Sequence, residues 1–294
     1  MSTIQSSNGN QYVTPGIGLS AAGYFVGSAA QGATNTILNT LSARKSINKI
    51  RNLNQGVNVE EIRNGLNKAL NISGMTQKGV KIVDYTNSTR TSKTDFKLFK
   101  EFIEHCKQGK YYNIIDEKLK NMVAVGDNAF YSFKHNNIHI NAQKAGTLGF
   151  HEIGHAINRQ SSKFWKSMQN LRGPMTYLTL ILPTIALLKR KKVEGEEPNG
   201  LIDKTTTFIK ENVGKLTTLT FIPILAEEFK ATARGNKLAK QVLSPELASK
   251  VIKSNKWGAI SYIGAAVGAG IAVSVANKIK DAIAKPKLVK NPEI

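Results

Sequence analysis

Phe150-His151-Glu152-Ile153-Gly154-His155-Ala156 sets two imidazoles and a carboxylate in the order H-E-x-x-H, inside a run with the composition of a helix. On a helix, positions four apart share one face, so His151 and His155 can offer two ring nitrogens to a single metal ion. Neutral imidazole suits Zn²⁺, and a catalytic zinc keeps one position open for water, whose pKa drops to near 7 on binding. Glu152 lies about 100° round the helix from His151. Its carboxylate therefore flanks the metal and can take a proton from the bound water. A short motif also arises by chance, and then both histidines are ordinary helix residues. The context favours the metal: Phe150, Ile153 and Ile157 fall on a face beside the histidines, Gly154 and Ala156 allow close packing, and no proline interrupts.

A second acidic pair, Glu227-Glu228, stands at the mouth of an apolar run, where uncompensated charge is costly unless a cation meets it. A zinc ion would meet it. His135 and His139 precede the motif at spacings that match no ligand pattern, and each is expected to be a surface or half-buried histidine. Cys106 is the single cysteine, so no intrachain disulfide forms, and it is expected to be a half-buried helix residue.

The elements that must position these groups follow from pattern. Met122 to Val125, Ala129 to Phe133 and Ile138 to Asn141, separated by turns at Gly126-Asp127-Asn128 and Lys134 to Asn137, predict a short antiparallel sheet leading into the metal helix. An edge strand there can pair with an extended peptide and present its amide to the metal. Upstream, Ile47, Ile50 and Leu53 mark one helix. A second follows, with Asn58 as cap, Glu61 three residues on, and Ile62, Leu66 and Leu70 as its stripe. Val80 to Tyr85 alternates like a strand. Phe96, Phe99, Phe102 and Ile103 mark a helix ending near Gly109, with the aromatics expected in the core.

Three stretches are apolar enough to concern a bilayer. Residues 1–43 carry no charge, and from Ile17 to Leu41 they are small and apolar, with Gly23-x-x-x-Gly27 spacing; they form a membrane hairpin or span, or a flexible segment outside lipid. Gly173 to Leu188, with Pro183 inside, ends in Lys189-Arg190-Lys191-Lys192. After the charged turn Glu194 to Asn199 comes the shorter run Leu216 to Ala226, and the two make a membrane, re-entrant or buried hairpin. Ser244-Pro245 starts a further helix in which Trp257 to Asn277 is uncharged, long enough to span, and followed by five lysines.

With 41 Lys+Arg against 20 Asp+Glu the chain carries a formal net charge of +21. Such a surplus implies an anionic partner. No nucleic-acid-reading motif is present and the cations lack the aromatic interleaving of a base-stacking surface, so anionic membrane lipid ranks ahead of nucleic acid. Met1-Ser2-Thr3-Ile4-Gln5 lacks a basic n-region, and no cleaved secretory signal is expected.

H-E-x-G-H-A on one helix, an apolar hairpin, and then E-x-x-A-[ST] at Glu228 to Thr232 resemble the integral-membrane gluzincins. These are the HtpX and CAAX-prenyl-protease class and, more closely, the YugP-like neutral zinc metallopeptidases. Asn128-Ala129-Phe130 followed by Ile138-His139-Ile140 is similar to the strands those families place before the metal helix. The resemblance covers roughly residues 125–240. It implies His151 and His155 as zinc ligands, Glu152 as general base, and a glutamate of the second helix as third ligand. Glu228 fits the pattern and Glu227 does not. Where the HtpX class has an aspartate four residues after the ligand glutamate, this chain has Thr232. Arg234, on the same helix, is a candidate transition-state donor, but an ion pair with Glu228 or Glu227 is the expectation.

The expected fold is mainly α with a small antiparallel β-sheet, a zincin-like metal helix and apolar membrane-associated helices. The expected segments are an N-terminal apolar stretch (1–43), a metallopeptidase domain (44–243) with an apolar hairpin (173–226), and a C-terminal region (244–294) with a transmembrane segment (257–277) and basic tail. The expected function is a membrane-associated zinc metalloendopeptidase acting on proteins or peptides, its active site facing the cytoplasm. A basic membrane-binding scaffold with an inert motif is the alternative.

Overall fold

Strong caps and apolar stripes at helical spacing make most of this chain helical. The structure, a computed structural model, describes residues 3–5, 10–109 and 113–289. In chain order the elements are β1 (Thr3–Gln5), β2 (Gln11–Val13), α1 (Ile17–Asn54), α2 (Val59–Ile72), β3 (Lys81–Asp84), α3 (Asp95–Lys107), α4 (Ile114–Val125), β4 (Phe130–Ser132) and β5 (Asn137–Ile140). There follow α5 (Ala142–Ala145), α6 (Gly149–Ser161), α7 (Lys163–Asn170), α8 (Arg172–Leu188), α9 (Gly200–Leu219), α10 (Ile222–Val242), α11 (Pro245–Ile283) and β6 (Lys287–Leu288). The chain is mainly α with two small sheets.

Two compact units divide it. One comprises residues 1–42, 171–222 and 263–294, the other 43–170 and 223–262. The expected segments were linear, whereas these units are discontinuous: α8 and α9 belong with the start of α1 and the end of α11, while α10 and the start of α11 belong with the metal helix. Packing between helices distant in sequence overrides segment order.

In the second unit, Asn58 accepts hydrogen bonds from the N–H groups of Glu60 and Glu61 at 3.0 and 3.1 Å and so starts α2. Ile62, Leu66 and Leu70 are buried as their spacing predicts, in a core shared with Ile138, Ile140, Phe150, Ile153 and Val251. β5 is the central strand of the sheet, parallel to β3 (Val83↔His139) and antiparallel to β4 (Tyr131↔Ile138). The sheet is thus mixed, a departure from the antiparallel expectation, because its third strand is Lys81–Asp84. Met122 to Val125 is the last turn of α4. Asn113 caps that helix through the N–H groups of Ile115 and Asp116, and Gly126 closes it in the left-handed conformation at φ 82°. The cap ten residues upstream outweighs the β-branched valines.

His139 stacks on Phe130 with ring centroids 4.4 Å apart, and its Nδ1 lies 3.1 Å from the Tyr85 hydroxyl. It is a buried packing residue, and His135 is exposed. On α3 the expected aromatic core fails. Leu98 takes the buried side, whereas Phe96 is 75% and Phe99 54% exposed; Cys106 is exposed as well.

Residues Ile17 to Asn54 form one unbroken helix, of which the part up to Ser42 belongs to the first unit, so there is no hairpin within 17–41 and no break before Ile47. Pro183 sits inside α8 without ending it. The interior is sparse and partly polar: Ala186, Val213 and Val273 are joined by Lys210, whose ammonium donates to Asn277 and Asp281 at 2.8 Å each. β1, β2 and β6 make a second, antiparallel sheet with Tyr12 opposite Leu288. Two helical runs among the described residues, Lys163–Leu188 and Pro245–Ile283, are long and apolar enough to cross a membrane. The second contains the span expected at 257–277.

Candidate metal centre

β5 runs through the capped turn at Asn141 into α6, whose first two turns carry Phe150 into the core and His151 and His155 toward α10. Asn141 fixes this entry by accepting the Lys144 N–H at 3.0 Å and donating to the Ala124 carbonyl at 2.8 Å. Two glycines then let the helices meet. A Cβ at Gly154 would overlap the Ala231 carbonyl, and one at Gly235 would overlap the Phe150 carbonyl. Only hydrogen at both places allows α6 and α10 to touch backbone to backbone.

That contact brings the four chemical groups together. His155 Nε2 lies 2.9 Å from His151 Nε2, Glu228 Oε2 lies 3.0 Å from His151 Nε2, and Glu228 Oε2 lies 3.5 Å from His155 Nε2. A tetrahedral ion with bonds of about 2.1 Å separates its ligand atoms by about 3.4 Å. The three atoms are spaced to surround one such ion.

The opposite ring nitrogens are anchored. His155 Nδ1 donates to Glu227 Oε1 at 2.9 Å, and His151 Nδ1 lies 3.1 Å from the Thr232 hydroxyl. With Nδ1 carrying the proton, each neutral ring presents its Nε2 lone pair to the centre, which is how imidazole ligands are normally oriented. Glu227 is itself held by amide donors from Asn158 and Gln169, each at 2.8 Å. The two adjacent glutamates thus divide the work: Glu228 faces the Nε2 atoms and Glu227 steadies a ring from behind.

Both glutamates are fully buried. Burial by itself opposes charge on Glu228, yet His155 and then the hydrogen bonds from both rings hold its carboxyl well below the usual range. Burial likewise disfavours the His155 imidazolium, but Glu228 and Glu227 outweigh it and push the ring up to about 10. The pocket is built to stabilise positive charge. These buried His/Glu groups could hold a metal ion.

Glu152 sits beside them, with ligand-type atoms of His151, Glu152 and His155 all within 4.8 Å of one another. Burial raises its pKa, the two imidazoles and the Tyr131 backbone N–H acting against it. β4 is the edge strand, and its Tyr131 N–H is given to Glu152. A cleft of about 220 Å³ reaches His151 and Glu152, with apolar walls from Ile47, Ile50, Met122, Ala129, Leu148 and Tyr262.

His151, Glu152, His155 and Glu228 are therefore brought together, with Glu227 immediately behind. Arg234 goes elsewhere and donates to the Ser161 hydroxyl at 3.0 Å. The ion pair expected for it is replaced because Ser161 ends the helix beside it. Sequence reasoning missed Asn158 and Gln169. Asn158 follows His155 by three residues and His151 by seven, a same-face spacing that marks it, whereas Gln169 gives no signal from α7. No family model, curated protein or solved structure matches the chain.

Proposed function

We propose that the chain is a membrane-associated zinc metalloendopeptidase of gluzincin type, with His151, His155 and Glu228 as metal ligands and Glu152 as general base. The observation that carries this is the convergence of two Nε2 atoms and one carboxylate oxygen, with both rings fixed from behind and the Glu152 carboxylate alongside. Two imidazoles and a carboxylate are the donor set that suits Zn²⁺. Bound there, zinc would supply a water of lowered pKa and polarise a substrate carbonyl.

The protein's own groups do the rest. The cleft, which reaches His151 and Glu152, seats the peptide beside them. Tyr131 N–H hydrogen-bonds the Glu152 carboxylate, which lies beside both imidazoles and is placed to receive a proton there. Glu152 takes the proton of the attacking water and delivers it to the amide nitrogen as the C–N bond breaks, so that the leaving group departs as a neutral amine. Glu227, Asn158 and Gln169 hold the His155 ring in register throughout.

Membrane association rests on the two spanning-length helices and on the +21 charge. Cations directly after each run, Lys189 to Lys192 and the lysines from Lys278 on, are the pattern of a cytoplasmic end. The test is metal analysis and peptide-library cleavage by the full chain in detergent, before and after chelation. One zinc per chain with chelator-sensitive, zinc-restored cleavage supports the reading. Purification without bound metal and without cleavage leaves the basic membrane-binding scaffold instead.

A further inference from the structure

Helix α3 has an apolar face turned to solvent. Phe96, Phe99, Ile103 and Cys106 recur at intervals of three and four, so they share one side of the helix, and all four are exposed. Phe96 is 75%, Phe99 54% and Ile103 37% exposed, while Leu98 on the other side is fully buried. The helix is therefore already docked on the protein by Leu98, and the aromatic stripe is surplus to its packing.

Charge says what covers it. Lys97 and Lys100 lie next to the stripe and are exposed, as is Lys107, which is paired with the exposed Glu104 at 2.8 Å. On an α-helix they fall within about 100° beyond Phe96. Exposed aromatics bordered by lysines are the pattern of a helix lying in the headgroup layer of an anionic bilayer, rings in the acyl boundary and ammonium groups among phosphates. A second copy of the same face would set lysine against lysine. The same chain also carries two helices long enough to cross a bilayer, so such a surface is at hand.

We infer that α3 is an interfacial membrane-docking helix, with Phe96, Phe99 and Ile103 inserting among anionic phospholipids and Lys97 and Lys100 binding their headgroups. The inference rests on the proposed membrane association but not on the peptidase chemistry, since α3 is remote in sequence from the metal centre.

Cys106, the only cysteine of the chain, provides the probe. The full chain carries a polarity-sensitive dye on its thiol and is reconstituted in vesicles of phosphatidylcholine alone, or of phosphatidylcholine with an equal part of phosphatidylglycerol. In the anionic vesicles the emission shifts to the blue and is quenched by lipids bearing a nitroxide near the headgroup. Molar salt, which shortens the screening length to about 3 Å, reverses the shift. Lys97→Glu with Lys100→Glu weakens docking by roughly fivefold or more per lysine. Phe96→Ser with Phe99→Ser abolishes the shift, and because both rings are exposed the fold is retained. Water-like emission in anionic vesicles, or an unchanged shift in the Phe96/Phe99 variant, overturns the inference. So does a shift that appears without lipid and grows with protein concentration, since a second copy would then cover the face.

Discussion

The carbonyl of Ala231 occupies the space in which a side chain at Gly154 would begin, so α6 and α10 meet there with no side chain between them. His151 and His155 stand three residues before and one after Gly154, and Glu228 stands three before Ala231. One backbone contact thus sets the span across which the rings and the acid face each other.

Gly154→Ala should push the two helices apart. Overpacking at such a contact costs about 1–3 kcal/mol, and the ligand atoms, now separated beyond 2.9–3.5 Å, should lose the ion. Elemental analysis of a folded Gly154→Ala chain is expected to find far less than one metal per protein. Full occupancy would mean that the helices need not touch.

The adjacent glutamates should respond differently. Glu228→Gln would remove the proposed anionic ligand and is expected to abolish stoichiometric metal. Glu227→Gln leaves the ligands in place but weakens the partner of His155 Nδ1, and partners of this kind are worth about 10–100-fold in affinity. Metal titrations of the two variants give the ratio directly, and equal losses would contradict the division of roles.

Thr232 Oγ1 meets His151 Nδ1 at 3.1 Å. Thr232→Val should lower metal affinity by about tenfold through loss of that partner, and Thr232→Asp should restore or exceed the original affinity. A competitive zinc titration checks both.

How far the sequence foretold this centre depends on range. The i, i+4 histidines and the stripe Ile62, Leu66, Leu70 are local, and the local pattern holds. Glu227 and Glu228 lie about 100° apart on their helix, so the choice between them depends on its rotation, which Gly154 and Gly235 set through contacts invisible in a linear reading. Met122 to Val125 has the composition of a strand, and only the Asn113 cap and Gly126 stop reveal α4. Phe96 and Phe99 match a core stripe in spacing, yet Leu98 alone takes the inward place. The β1-β2-β6 sheet pairs Tyr12 with Leu288 near the other end of the chain, and strands of two or three residues carry too little pattern to announce such a partner.

Acidification should destabilise the second unit through His139. Burial against Phe130, helped by the nearby Lys120 charge, lowers its pKa to about 4. The unfolded ring titrates near 6.5, so between those values the unfolded chain binds more protons. Stability from this group is full above about pH 6.5 and is lost as the pH falls toward 4, by at most about 3 kcal/mol. Urea unfolding of wild type and His139→Gln across this window should show a slope in the first and a flatter profile in the second. Parallel profiles would assign the slope to other groups.

Glu152→Gln separates catalysis from metal binding most directly, because in the proposed mechanism Glu152 would receive the water's proton without being a metal ligand. Wild type and variant, purified identically, should each contain one zinc per chain, while peptide cleavage by the variant falls by about 10²–10⁴-fold, the usual worth of a positioned general base. Equal cleavage by the two zinc-loaded proteins would contradict the account.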